Sequence, residues 1–86
     1  MTLRHTTTDH ETIRRWIEAR GGHPARVTGA PGEETEALRV DIPGYAEQEF
    51  LEPISWGEFF RRFDARRLAF EYEDEGRYFR FASRPG

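Results

Sequence analysis

The chain has 86 residues, too few for the barrels of ~250 residues that house many catalytic sites, so we expect one small domain spanning residues 1–86. It contains no cysteine, which excludes disulfides and thiolate metal or redox chemistry, and its net charge of −3 gives no overall attraction to nucleic acid. No apolar run approaches the ~20 residues of a membrane helix, and the first residues lack the apolar segment of a secretory signal, so we expect a cytoplasmic protein.

The first regular element is predicted to be a helix over about residues 9–20, after a frayed start at residues 1–7. Thr8 and Glu11 have the spacing of a capping box, in which a hydroxyl accepts from the helix N-terminus and a glutamate reaches back. Gly21-Gly22 and the following His-Pro pair end the helix, because a residue before proline avoids the α region. Its apolar stripe consists of Ile13, Trp16 and Ile17.

A hairpin is predicted next, from strands at residues 25–28 and 38–42. The second strand alternates apolar and charged residues and ends at the turn formed by Pro43 and Gly44. Residues 29–36 are rich in Gly, Pro and Glu without periodicity, which predicts a mobile loop. Residues 45–53 show no clean period and indicate an irregular connection.

The segment at residues 54–64 predicts a second helix more strongly than any other window. Ser55 followed by Glu58 is a second capping box. The aromatic residues then recur with helical spacing, which is typical of a buried stripe in a small core. They are Trp56, Phe59, Phe60 and Phe63.

The last 19 residues predict a second hairpin with a defined register. Apolar and polar residues alternate from Leu68 to Glu73 and again after the turn at residues 74–77. The predicted pairs are 72 with 79, 71 with 80 and 70 with 81, which place Glu71 opposite Arg80. Residues 84–86 are expected to be frayed.

The order α-β-β-α-β-β predicts a two-layer α+β fold in which two helices pack on one face of an antiparallel sheet. The two halves look alike, since IRRW at residues 13–16 echoes FRRF at residues 60–63. Duplication and chance remain equal alternatives in so arginine-rich a chain. The order of the strands in the sheet does not follow from the sequence.

One combination of residues is spread over nearly the whole chain: Trp16, Arg20, Gly21, Gly22, Pro24, Ala25, Pro43, Gly44, Leu51, Ile54, Ser55, Trp56, Phe59, Phe60, Phe63, Asp64, Leu68, Ala69 and Phe70. In this combination the chain resembles a family of short, uncharacterised bacterial proteins that sometimes bear the label 1,4-alpha-glucan branching enzyme. The chain departs from this resemblance at residues 77–80, where RYFR replaces a more serine-containing segment. Glycan branching needs two carboxyl groups on opposite sides of a sugar, held in a far larger barrel, so we interpret the label as a transferred name.

No residue pattern predicts catalysis, a cofactor or a metal site. The histidines at positions 5, 10 and 23 have no metal-ligand spacing, and the chain lacks a nucleophile elbow and a phosphate-binding glycine loop. We therefore expect a non-enzymatic interaction or adaptor module with a protein partner and no cofactor. Its candidate contact surfaces are the loop at residues 29–36 and the segment that contains Tyr45, Phe50 and Leu51.

The alternative is a nucleic-acid or phosphate-binding module. Several cations have no acidic partner at helical spacing, and some lie at helix C-termini, where they also favour the helix dipole. If the two helices were parallel neighbours, these cations would converge on one edge and form an anion site. They are Arg20, His23, Arg26, Arg66 and Arg67.

Overall fold

The structure is a computed structural model that describes residues 3–27, 38–44 and 51–85. Within these ranges it contains two helices and six strands, which confirms the predicted α+β class. The elements in chain order are β1 (Arg4–Thr7), α1 (His10–Glu18), β2 (His23–Val27), β3 (Leu38–Asp41), β4 (Leu51–Pro53), α2 (Trp56–Ala65), β5 (Leu68–Glu73) and β6 (Phe79–Ser83).

The strands form two antiparallel sheets, where the sequence predicted one. Sheet A has the strand order β1-β5-β6, and sheet B has the order β3-β2-β4. The β5–β6 register is the predicted one, with Phe70 opposite Phe81 and Glu71 opposite Arg80. The β2–β3 hairpin was also predicted, and it begins at His23, two residues earlier than expected.

Two strands were missed by the sequence prediction. Residues 4–7 were expected to be frayed but form β1, which pairs with β5. Residues 51–53, expected to be irregular, form β4 and pair with β2. Arg84 is not frayed either, because its backbone N–H donates to the Arg67 carbonyl at 2.9 Å. The predicted mobile loop at residues 29–36 lies outside the described residues.

With these strands included, each half of the chain reads β-α-β-β, and the halves exchange their first strands. β1 of the first half pairs with β5 of the second half, while β4 of the second half pairs with β2 of the first half. The N-caps Asp9 and Ser55 occupy equivalent places, as do the buried residues Ile13 and Phe59. The echo of IRRW and FRRF is therefore one residue out of structural register.

Local signals at the helix ends explain where the helices begin and stop. Ser55 caps α2 as predicted, with its Oγ accepting from the Glu58 N–H at 3.1 Å. In α1 the cap lies one residue later than predicted, because Asp9 accepts from the Thr12 N–H at 2.9 Å. Gly21 adopts a φ of +72° after α1, the left-handed conformation that glycine allows without strain.

One aromatic and aliphatic core joins the helices to both sheets. Phe59 and Phe63 of α2 are fully buried, as the predicted stripe required, and Phe63 packs edge-on against Phe81 of β6. Trp16 of α1 packs against Phe70 of β5 at a ring distance of 5.5 Å. The helices therefore contact the same face of sheet A. The core is completed by Ile13, Ile17, Leu38, Val40, Ile42 and Phe60.

The helices are antiparallel. The start of α1 meets the end of α2, where His10 Nε2 lies 2.9 Å from Asp64 Oδ2. The end of α1 meets the start of α2, where Trp56 Nε1 donates to Glu18 Oε2 at 3.3 Å. Their C-termini consequently lie at opposite ends of the helix pair, in contrast to the parallel arrangement on which a shared anion site depended.

Candidate functional site

Each sheet ends in two edge strands, and these edges are the places where another chain could add a strand. β4 is protected by its length of three residues and by Pro53, which has no N–H to offer. β1 and β3 have four residues each. With five residues, β6 is the longest edge among the described parts of the two sheets and contains no proline.

The hydrogen bonds of β6 show which of its backbone groups point away from β5. Glu73 N–H donates to the Tyr78 carbonyl at 3.2 Å, and Arg84 N–H donates to the Arg67 carbonyl at 2.9 Å. Hydrogen-bonded and non-bonded pairs alternate along an antiparallel ladder, so residues 80 and 82 also bond to β5. The outward N–H and C=O groups belong to Phe79, Phe81 and Ser83.

The side chains of β6 divide into an apolar face and a charged face. Phe79 and Phe81 point towards the helices and are half-buried, and Phe79 stacks on Phe70 at 5.7 Å. Arg80 points to the opposite face and donates through Nε to Glu71 Oε1 at 3.0 Å. A strand added to this edge would therefore cover aromatic surface on one side and approach an arginine on the other.

The charged face of sheet A is a matched network. Hydrogen bonds from Arg80 and then from Tyr78 lower the pKa of the Glu71 carboxyl. The hydrogen bond that the Tyr78 hydroxyl donates to Glu71 at 2.7 Å raises the pKa of Tyr78, and burial adds to the rise. Arg4 lies over the Tyr78 ring at 4.3 Å. This face presents compensated charges that fix the orientation of β6, and it is not an unbalanced positive patch.

A second polar cluster joins the two helices and the tail. Asp64 accepts from His10 at 2.9 Å and from Arg84 at 2.5 Å, and the His10 ring stacks on Phe60 at 4.1 Å. Burial tends to raise the pKa of Asp64, but the hydrogen bonds from His10 and Arg84 outweigh it and leave the pKa lowered. The aspartate is thus held ionised between two donors, an arrangement that fastens the helix ends together.

Arg20, one of the proposed anion-binding cations, makes its contacts within the fold. Its guanidinium stacks on the Trp16 ring at 3.7 Å. Nε donates to the Gly76 carbonyl at 2.7 Å, and Nη2 donates to the Asp74 carbonyl at 3.2 Å. This side chain fastens α1 to the turn of the β5–β6 hairpin.

The other four cations do not gather around Arg20. His23 lies 3.3 Å from Asp41, and Arg26 lies 2.6 Å from Glu52, so both stand beside carboxylates in sheet B. Arg66 and Arg67 are exposed at the start of β5, whereas Arg20 contacts the turn after its end, about 20 Å away for a strand of this length. The described residues offer the anion hypothesis no common surface, and anion binding stays a prediction.

The predicted partner surface is described only in part. Leu51 lies at the start of β4 and is half-buried. Tyr45 and Phe50 lie outside the described residues. The outward groups of β6 were not foreseen, although the alternation after residue 78 predicted the strand, because a strand's place at the edge of its sheet depends on long-range pairing.

Within residues 3–27, 38–44 and 51–85, no three or more His, Cys, Asp or Glu side chains lie close enough together to hold a metal ion. No helix in the same ranges is long and apolar enough to cross a membrane. Comparison with known protein families, with curated proteins and with solved structures finds no match to this chain.

Proposed function

We propose that the protein is a non-enzymatic interaction module that binds an extended segment of a partner protein along the outer edge of β6. The outward-pointing backbone groups at Phe81 and Ser83 are the observation on which the proposal rests. Unpaired backbone donors and acceptors at a sheet edge offer a template for an added strand. The chain's length and its lack of a catalytic motif support a role without catalysis.

The side chains of β6 define the chemistry of the partner segment. Phe81 is only half-buried, so an apolar residue of the partner beside it would complete its packing. Arg80 already pairs with Glu71, and the partner needs a small or acidic residue beside it. The preferred partner is an extended segment with alternating apolar and non-basic residues, in a protein of the bacterial cytoplasm, as the resemblance and the sequence led us to expect.

The proposal is tested with a proline that blocks the edge without removing a bond inside the sheet. Ser83 N–H points outward and its side chain is exposed, so Ser83→Pro leaves the β5–β6 ladder intact. Ser83→Ala, which keeps the N–H, is the matched control. Peptides selected from a displayed random library on the wild-type protein are then measured against both variants.

We expect the selected peptides to bind Ser83→Ala like the wild type and to bind Ser83→Pro at least about tenfold more weakly, a loss of about 1.4 kcal/mol. Amide NMR shifts should centre on residues 79–83. Peptides that bind both variants equally, or that shift only residues elsewhere, would show that β6 is not the binding edge.

A further inference from the structure

The outer edge of β3 has a different chemistry from that of β6, although the two strands are equivalent in the two halves. Pro24 faces Val40, and proline has no N–H, so this pair is a non-bonded one. Consistently, the Pro24 carbonyl turns towards the other neighbour and accepts from Ile54 N–H at 3.2 Å. The alternation then places the backbone groups of Leu38 and Val40 on the outer side of β3. Continued one residue beyond the end of the strand, it also turns Ile42 outward.

The side chains of this edge alternate between apolar and charged residues. Leu38, Val40 and Ile42 are buried on the core side, with exposed fractions of 3%, 7% and 2%. Arg39 and Asp41 lie on the opposite face and are half-buried. A positive charge at Arg39 and a negative charge at Asp41 therefore lie one residue before and one residue after Val40.

We propose that a second copy of this chain pairs with β3 through its own β3, antiparallel, with Val40 on a two-fold axis. In this register Val40 faces Val40 of the second copy, and Leu38 faces Ile42 of the second copy. These pairs use the outward backbone groups. Arg39 faces Asp41 of the second copy, and the symmetry repeats that pair, so both charges of each strand meet an opposite charge.

Charge complementarity distinguishes this edge from β6. In the corresponding symmetric register around Phe81, Arg80 would face Ala82 of a second copy, and no charge pair would form. The charges on β3 are thus complementary to those on β3 of a second copy, whereas the charges on β6 are not complementary to those on a second β6. The inference is independent of the proposed function of β6, and together they describe an adaptor that binds a copy of itself at one sheet and a partner at the other.

The existing contacts of the two charged residues are compatible with this pairing. Asp41 lies 3.3 Å from His23, and a carboxylate offers about four acceptor positions, so it can accept from an arginine as well. Arg39 donates through Nη1 to the Leu38 carbonyl at 3.0 Å, but a guanidinium has five N–H donors and a carbonyl has two lone pairs, so each group can make a further hydrogen bond. Only a few residues pair, so the dimer is weak and forms at high protein concentration.

The experiment is sedimentation velocity of the full chain at low ionic strength, up to about 1 mM, with a charge-swap series. Arg39→Asp places like charges opposite each other in both symmetric pairs and should weaken dimerisation about tenfold or more. Asp41→Arg should do the same. The double variant Arg39→Asp/Asp41→Arg restores opposite pairs and should recover the wild-type dimer. Amide NMR spectra confirm that each variant is folded.

A dilution series of the wild type gives a second readout that needs no variant, since amide shifts that depend on concentration should centre on residues 38–42. A wild-type chain that stays monomeric over this range would overturn the proposal. So would self-association that the charge swaps leave unchanged, and its loss in Ser83→Pro would then assign it to β6. Loss of peptide binding in Ser83→Pro with an unaltered dimer separates the two edges and supports both assignments.

Discussion

Gly22 and Gly57 differ in the space around their Cα atoms. That space decides whether an added methyl group would stabilise or destabilise the fold. A Cβ on Gly22 would lie 2.8 Å from Ile42 Cγ1 and 2.9 Å from Ile17 Cγ2, both of which are buried. Among the described residues, a Cβ on Gly57, in the first turn of α2, would meet only Ser55 Oγ at 3.9 Å. Gly22 is therefore closely packed between α1 and the end of β3, whereas the space beside Gly57 can hold a methyl group.

We expect opposite effects of alanine at these two positions. Gly22→Ala should lower the free energy of unfolding by about 1–3 kcal/mol, because two buried isoleucines must move. Gly57→Ala should raise it by about 0.5–1 kcal/mol, since alanine has the higher helix propensity and no described residue lies in its way. Urea denaturation of the two variants and the wild type measures both values. Equal effects of the two substitutions would contradict the packing described around Gly22.

At the scale of the elements, β1 is held by backbone bonds that alternate in direction. Asp74 N–H donates to the Leu3 carbonyl at 3.1 Å, so residues 5 and 7 also bond to β5, while Thr6 turns its backbone outward. The His5 ring packs on Tyr72 at 5.3 Å on the core side. This strand is thus part of sheet A and not a frayed end.

Proline substitutions distinguish an integral β1 from a loosely attached one. His5→Pro removes an N–H that donates to β5 and should lower the free energy of unfolding by about 1–3 kcal/mol relative to His5→Ala, which controls for the lost ring. Thr6→Pro removes an outward N–H and should cost less than about 1 kcal/mol. Urea denaturation gives both differences. If the two prolines cost the same, β1 would not be paired as described.

Local sequence patterns predicted those elements whose capping residues and apolar periodicity lie within the element itself. Ser55 and the aromatic stripe that follows predicted α2, and the alternation around residues 68–83 predicted the second hairpin with its register. β1 and β4 lack that information, because a run of Thr residues and a three-residue segment ending in Pro53 show no alternation, and their partners lie in the other half of the chain. For the same physical reason, the sequence predicted β6 but not its place at an edge.

For the whole molecule, the exchange of first strands makes each half depend on the other. Without the second half, β1 has no β5 to pair with, and the buried Ile13, Trp16 and Ile17 lose the aromatic residues of β5 and α2 that cover them. The isolated second half lacks β1 in sheet A, and its β4 lacks β2. Neither half retains a complete three-stranded sheet, the minimum that is usually stable.

We therefore expect that fragments 1–46 and 47–86 are each unfolded alone and assemble into the native fold when mixed. The cut separates the halves between β3 and β4 and divides none of the helices and strands of the described residues. Amide NMR of one labelled fragment should change from a narrow to a dispersed spectrum on addition of the unlabelled other. Assembly should be lost when the added fragment 47–86 carries Phe63→Ala, since a buried Phe→Ala change costs about 3–5 kcal/mol. A dispersed spectrum from fragment 1–46 alone would show that the first half folds without the exchange, and the paired βαββ units would then be separate folding units joined by their edges.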